Sequence, residues 1–117
     1  MLDVNKIVRD TLENIDGVKV TFYHPQEFNV LPIISYYELT TNTGLCYDNA
    51  EQAQKSSVVI DIWGKSGSEC SRLAVEVDKH MQKCGWYREF SRDMPSEDGI
   101  YHKTMRFFKE IYFKEET

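Results

Sequence analysis

Hydrophobic residues near the start of the chain recur at steps of three and four positions. In residues 3–15 the apolar side chains fall at Val4, Ile7, Val8, Leu12 and Ile15. This spacing places them on one face of an α-helix, with charged residues on the other face. Gly17 follows, and glycine is common just beyond a helix because it accepts a left-handed backbone. The pattern therefore predicts an amphipathic helix over residues 3–15.

Alternation of apolar and polar residues then indicates three β-strands, over residues 17–24, 33–41 and 57–63. The third is the most regular. Val58, Ile60 and Ile62 would point to one side of a sheet, while Asp61 and Trp63 point to the other. Residues 42–56, between the second and third strands, are polar and too numerous for a tight turn. We expect either a projecting loop or a hairpin with flared ends there.

A second helix is marked at both of its ends. Ser66 and Glu69 have the spacing of a capping box, and Gly85 is placed to end the helix. An apolar stripe at helical spacing joins Cys70, Leu73, Ala74, Val77, Met81 and Cys84. Beyond it, the pattern predicts a strand over residues 86–91, an acidic turn over residues 93–99 and a last strand that starts at residue 100.

The order of these elements is α-β-β-β-α-β-β, which predicts an α+β fold in a single domain over residues 1–117. Each helix has only one apolar face, and such a helix buries that face against another element. We therefore expect a mainly antiparallel sheet of about five strands, with both helices packed on one of its faces.

Charge and hydropathy narrow the classes of function. Lys and Arg number 14 against 19 Asp and Glu, so the formal net charge is −5. This balance argues against a basic groove that follows a nucleic-acid backbone. No apolar run reaches the roughly 18 residues that a membrane span needs, and the first residues lack the apolar core of a signal peptide. We expect a soluble cytosolic domain with no membrane partner.

The three cysteines are an odd number in a chain expected to lie in the cytosol, which favours reduced thiols. Cys70 and Cys84 belong to the apolar stripe of the second helix, so we expect both to be buried. Cys46 falls in the polar stretch 42–56 and is a candidate for an exposed thiol.

Motifs for chemistry are missing from the sequence: it contains no phosphate-binding loop, nucleophile elbow or zinc-binding pair. The three histidines are scattered, and we expect His102 to form a cross-strand hydrogen bond. Asp93, Glu97 and Asp98 fit a solvated acidic turn better than a cation site or an acid–base pair. We therefore expect no catalytic residues, no metal and no cofactor.

Two features leave alternatives open. Asp61 lies in an apolar strand, where it would pair with a neighbour such as Lys19 or Arg106, or else lie at a subunit contact. The chain also has 15 aromatic residues, more than one sheet face can hide. These would be either ordinary surface tyrosines or part of an interface, where aromatic residues are enriched.

Several ordered segments carry a family resemblance. These are the PIISYYE stretch at 32–38, Tyr47-Asp48-Asn49 with Glu51, the strand VVIDIW at 58–63, the segment GWYREF at 85–90 and the stretch GIYHKTMRF at 99–107. In this order they resemble the tail-completion, or tail-terminator, proteins of long-tailed phages and of prophages in Gram-positive bacteria. The resemblance covers residues 32–107.

The resemblance implies a structural role without catalytic residues. Such proteins cap the tail tube as a ring, commonly of six subunits, stop its polymerisation and present the surface that joins the head connector. The implied partners are further copies of the chain, the tail-tube protein and the head connector, with DNA only passing through the lumen. The implied locations are the host cytoplasm during assembly and the head-proximal end of the virion tail. The candidate contacts are Leu45, Tyr47, Asp48, Glu51, Asp61, Trp63 and Met94.

Other functions remain open from the sequence. The chain could be a different head–tail joining or minor tail protein, or a generic cytosolic adaptor domain that pairs through its sheet edge. A small cytosolic enzyme is a third possibility, but no constellation of residues favours it.

Overall fold

The computed structural model describes residues 1–47 and 50–113. It contains two helices, α1 (Val4–Leu12) and α2 (Gly67–Lys83). The strands are β1 (Lys19–Phe22), β2 (Ile33–Thr43), β3 (Cys46–Tyr47), β4 (Ala50–Glu51), β5 (Ala53–Gly64), β6 (Tyr87–Glu97) and β7 (Ile100–Tyr112). The predicted α+β fold and the order of its elements are confirmed.

Five strands form the main sheet in the order β1-β2-β5-β7-β6. Every neighbouring pair is antiparallel except β1 and β2, which run parallel. β5 and β7 are the longest pair and lie in register from Ala53 opposite Tyr112 to Gly64 opposite Tyr101. The sheet is therefore mainly antiparallel, as predicted, with β1 as a short parallel addition at one edge.

Both helices pack on the same face of the sheet. The buried cluster there combines side chains of α1 and α2 with those of β2, β5 and β7. From β5 it takes Val58, Ile60 and Ile62, which are the residues that the alternation placed on one side. The predicted face of α1 is buried at Val4, Val8 and Leu12. Since both helices of the described residues lie on this face, the opposite face of the sheet carries neither of them.

The start of α2 uses its capping residues in a modified way. The Ser66 hydroxyl accepts the Glu69 backbone N–H at 3.1 Å, as a capping box requires. The Glu69 carboxylate, however, accepts the backbone N–H of Lys65 at 2.8 Å, one residue before the cap. Together these contacts tie the chain between β5 and α2 to the helix start.

Among residues 1–47 and 50–113 there is no helix with both the length and the hydropathy to cross a membrane.

The polar stretch 42–56 is a long hairpin. β2 and β5 stay paired out to Thr43 opposite Gln54, with a register shift between Glu38 and Thr40. Beyond that pair, the short strands β3 and β4 continue the arm, and Gln52 donates its backbone N–H to the Leu45 carbonyl at 2.6 Å. The hairpin alternative is therefore correct, and the projecting loop is not.

Two expectations are wrong in detail. The acidic turn is confined to Asp98 and Gly99, because β6 continues through Asp93 to Glu97. Both turn residues have positive φ, 52° and 75°, as a two-residue hairpin turn of the primed type requires. Cys84 is exposed although Cys70 is buried. Cys84 is the C-cap of α2, so its backbone has already left the helical conformation and the stripe no longer extends to it.

Candidate interaction surface

The face of the sheet opposite the helices carries a cluster of four rings centred on Trp63. Trp63 of β5 lies opposite His102 of β7, and their rings stack at 3.8 Å between centroids with a 14° interplanar angle. His24 and Phe28, from the segment between β1 and β2, contact the same indole at 5.2 Å and 5.1 Å. Three separate parts of the chain therefore meet at this indole.

Two hydrogen bonds hold the cluster in place. The Trp63 indole N–H donates to the Ser35 hydroxyl at 3.0 Å, across the β2–β5 pair. The Nε2 atom of His102 lies 2.7 Å from Oδ1 of Asp61, and both side chains are largely buried. Each bond joins neighbouring strands, so the orientation of both stacked rings is set by the sheet. The cross-strand hydrogen bond expected for His102 is confirmed.

The partner of Asp61 differs from the two that were expected. Lys19 lies on β1, which is separated from β5 by β2. The guanidinium carbon of Arg106 lies 5.3 Å from the centre of the Phe90 ring. A residue on β5 can reach the diagonal neighbour on β7, which for Asp61 is His102.

The remainder of this face is aromatic and basic. Phe90 of β6 has the guanidinium carbons of Arg92 and Arg106 at 5.9 Å and 5.3 Å from its ring centre, within the range of cation–π contacts. Burial raises the pKa of the Tyr37 hydroxyl, and the negative charge of Asp61 raises it further. Tyr37 is therefore a neutral phenol at neutral pH and adds no charge to this face.

A cleft of about 470 Å³ opens between the ring cluster and the β6–β7 turn. Its walls are the four rings of the cluster, and its rim is formed by the end of β6, the turn and the start of β7. The rim residues are Pro95, Glu97, Asp98 and Ile100. Within the described part of the chain, no Lys, Arg or His forms an ion pair with the carboxylate of Glu97 or Asp98.

The predicted contact residues fall into two groups at opposite ends of β5. Leu45 and Tyr47 are exposed at the hairpin tip, with 42% and 67% of their surfaces accessible. Glu51 is also there; it accepts the Thr43 hydroxyl at 3.1 Å and lies 3.6 Å from the N-terminal amine. Asp48, the fourth predicted contact at the tip, lies outside the described residues.

The second group lies near the ring cluster. Asp61 is buried, and Trp63 and Met94 are half-buried. Met94 lies on β6 opposite His102, so it flanks the cluster on the side away from Trp63. The predicted contacts therefore describe a hairpin tip and a sheet face rather than one continuous patch.

Sequence reasoning missed the cleft and two of its four rings. His24 and Phe28 reach Trp63 only because the segment between β1 and β2 folds over the sheet, and no periodic pattern reports such a fold. Glu97 and Asp98 were recognised as acidic, but not as neighbours of Trp63. Across residues 1–47 and 50–113, no three His, Cys, Asp or Glu side chains are grouped closely enough to hold a metal ion.

Comparison with known proteins adds no relative to this description. No protein-family model matches the chain, and no curated protein matches it significantly.

Proposed function

We propose that this protein caps the end of a phage or prophage tail tube as a ring, ends tube polymerisation and offers the surface to which the head connector binds. The proposal starts from the ordered segments of residues 32–107, which resemble tail-terminator proteins. The fold is compatible with it, because the resemblance implies a sheet with helices on one face.

The observation that carries the proposal is the long β2–β5 hairpin with an exposed apolar tip. The outer parts of its arms, residues 40–43 and 54–57, are polar, whereas Leu45 and Tyr47 expose apolar area at the end. A small apolar patch on a narrow arm suits a contact that is weak by itself and is completed only on a template. A tail terminator needs such contacts, because rings that closed freely in the cytoplasm would be unproductive.

A ring also needs a second, different surface on each subunit, because a cyclic contact of this kind is heterologous. The sheet face that carries Trp63, Phe90 and Tyr87 is the candidate, since its aromatic residues are partly or fully exposed. Aromatic side chains and arginine are enriched at the centres of protein interfaces. The proposed arrangement places the hairpin tip of one copy against a different face of the next.

The remaining parts of the proposal follow from the ring. The partners would be other copies of the chain, six in the complete ring, together with the tail-tube protein and the head connector. DNA would pass through the lumen, and the net charge of −5 would limit its adhesion there. The protein would be made in the host cytoplasm and would end at the head-proximal end of the tail.

A deletion strain, complemented with single variants, tests the proposal. Without the gene, electron microscopy of lysates should show tails of uncontrolled length and heads without tails. Tyr47→Ala should reproduce that defect while leaving the melting temperature nearly unchanged, because the side chain is 67% exposed. Val75→Ala is the control for loss of an exposed apolar side chain, since Val75 is 55% exposed on α2, away from the hairpin tip and from the sheet face proposed as the second ring surface.

The same experiment separates the alternatives. Normal-length tails that fail to join heads would favour a different neck protein, and intact, infectious particles would favour an adaptor outside the virion. Head-attached tails of normal length in the deletion strain would remove the terminator assignment. If Val75→Ala were as defective as Tyr47→Ala, the hairpin tip would have no special role in the contact.

A further inference from the structure

We propose that the cleft beside Trp63 binds the guanidinium group of an arginine side chain presented by a partner protein. The cleft combines aromatic walls with an acidic rim, and the chain itself supplies no cation to that rim within its described residues. Its volume of about 470 Å³ lies within the range of small-ligand sites.

The walls fit a flat cation. Ring faces and edges surround one space, and they belong to Trp63, Phe28, His24 and His102. A guanidinium group is planar, is weakly hydrated compared with an ammonium group and stacks on aromatic rings. The same walls would bind an ammonium group less strongly, because that group is compact and strongly hydrated.

The rim supplies the opposite charge. Glu97 and Asp98 are exposed at the end of β6 and in the turn, and both line the cleft. Lys103, on the strand β7 that leads away from the rim, already lies 3.0 Å from the carboxylate of Asp93. An incoming arginine would therefore meet two unpaired carboxylates, and a charge-assisted hydrogen bond to a carboxylate is among the stronger polar contacts.

The cleft is also held in shape before any ligand arrives. The hydrogen bond between His102 and the Asp61 carboxylate fixes the His102 ring, and the bond that the Trp63 indole donates to Ser35 fixes the Trp63 ring. Because these rings are already ordered, little side-chain freedom is lost on binding. Asp61 and Ser35 are thus positioning residues, which act on the ligand only through the rings.

The test is a titration of the isolated, isotope-labelled protein with N-acetyl-arginine amide, followed by the indole N–H resonances. The Trp63 resonance should move in a saturable manner, whereas that of Trp86 should stay in place, because Trp86 is only 2% exposed in the helix-side core. N-acetyl-citrulline amide has nearly the same shape but carries no charge. It should therefore bind at least about tenfold more weakly, a difference of about 1.4 kcal/mol.

Substitutions at the rim test whether its two carboxylates attract the arginine probe. Glu97→Gln with Asp98→Asn should weaken binding of the arginine probe by about tenfold or more, a change equal to about 1.4 kcal/mol. Asparagine tolerates the positive φ of position 98, so the turn should be preserved. Asp16→Asn is the matched control: it removes one exposed carboxylate outside the cleft and should leave binding unchanged.

Three results would overturn the proposal, and a fourth would refute its preference for a guanidinium group. One is equal binding of citrulline and arginine, and another is equal binding by the double variant and the wild type. The third is the lack of a saturable shift at about 50 mM probe, where even a ligand with a Kd of about 10 mM would be mostly bound. N-acetyl-lysine amide binding as tightly as the arginine probe would refute the preference for a planar cation. None of these outcomes depends on a place in a phage tail, so this proposal and the terminator assignment can fail separately.

Discussion

Two valines on α2 allow the packing of the helix to be tested with one substitution at two positions. Val77 is fully buried against the sheet, whereas Val75 is 55% exposed. Replacing either by alanine removes two methyl groups and improves helix propensity by up to about 0.7 kcal/mol. The propensity gain is shared by both positions, so the difference between the two variants reports burial alone.

The expected difference can be worked from the exposed fractions. Two fully buried methyl groups contribute about 1.6 kcal/mol at about 0.8 kcal/mol each, and a cavity left behind adds to that cost. At Val75 roughly half of this contribution, about 0.8 kcal/mol, is present, and the propensity gain offsets most of it. We expect Val77→Ala to lower the free energy of unfolding by about 1–3 kcal/mol, and Val75→Ala to change it by less than about 0.5 kcal/mol.

Urea unfolding followed by circular dichroism is the appropriate assay, because the transition midpoint and the slope are obtained together. The slopes should agree between the variants, which would show that the difference lies in stability and not in the unfolded state. If the two variants differed by less than about 0.5 kcal/mol, or if Val75→Ala were the more costly, the face of α2 that contacts the sheet would be wrongly assigned.

Two further predictions concern the thiols and the β6–β7 turn. In the native protein an alkylating reagent should modify Cys46 and Cys84 but not Cys70, which is buried and whose pKa burial raises; mass spectrometry showing three rapid additions would contradict this. Gly99→Ala should cost about 1–2 kcal/mol because position 99 has a φ of 75°, although an added Cβ would touch nothing there. Gly67→Ala, in α2 and equally free of contacts, should be neutral or stabilising by up to about 1 kcal/mol, so equal melting temperatures for the two variants would refute the explanation.

Periodicity in the sequence was sufficient to predict the two helices and the strands of the main sheet. It also predicted which side of the sheet the helices cover. Steps of three and four along α2 and steps of two along β5 are local properties, and both concern the same apolar surface. Which strand pairs with which is not a local property of the sequence. The parallel pairing of β1 with β2 depends on how the ten residues between these strands cross the sheet, and the alternation in β1 is the same for either direction.

Prediction of the candidate site from the sequence is limited in the same way. Asp61 could be placed on the helix-free face from sequence, but its partner depends on the register of β5 against β7 and on the reach of a short side chain. The sequence predicts an acidic turn of seven residues because acidic residues, a proline and a glycine are spread along 93–99, whereas pairing of β6 with β7 reduces the turn to Asp98 and Gly99. Composition identifies which residues tolerate a turn, but strand pairing decides which of them form it.

The outer strand of the sheet has a consequence for aggregation. Within the described part of the chain, β6 pairs only with β7, so its other side offers unpaired backbone groups to any passing strand. Pro95 contributes no N–H to such a ladder, and the register shifts after Arg88 and after Met94 distort the strand on either side of a short regular stretch. A second copy therefore cannot extend the sheet continuously along β6. Amyloid-like stacking of native molecules is therefore disfavoured at this edge.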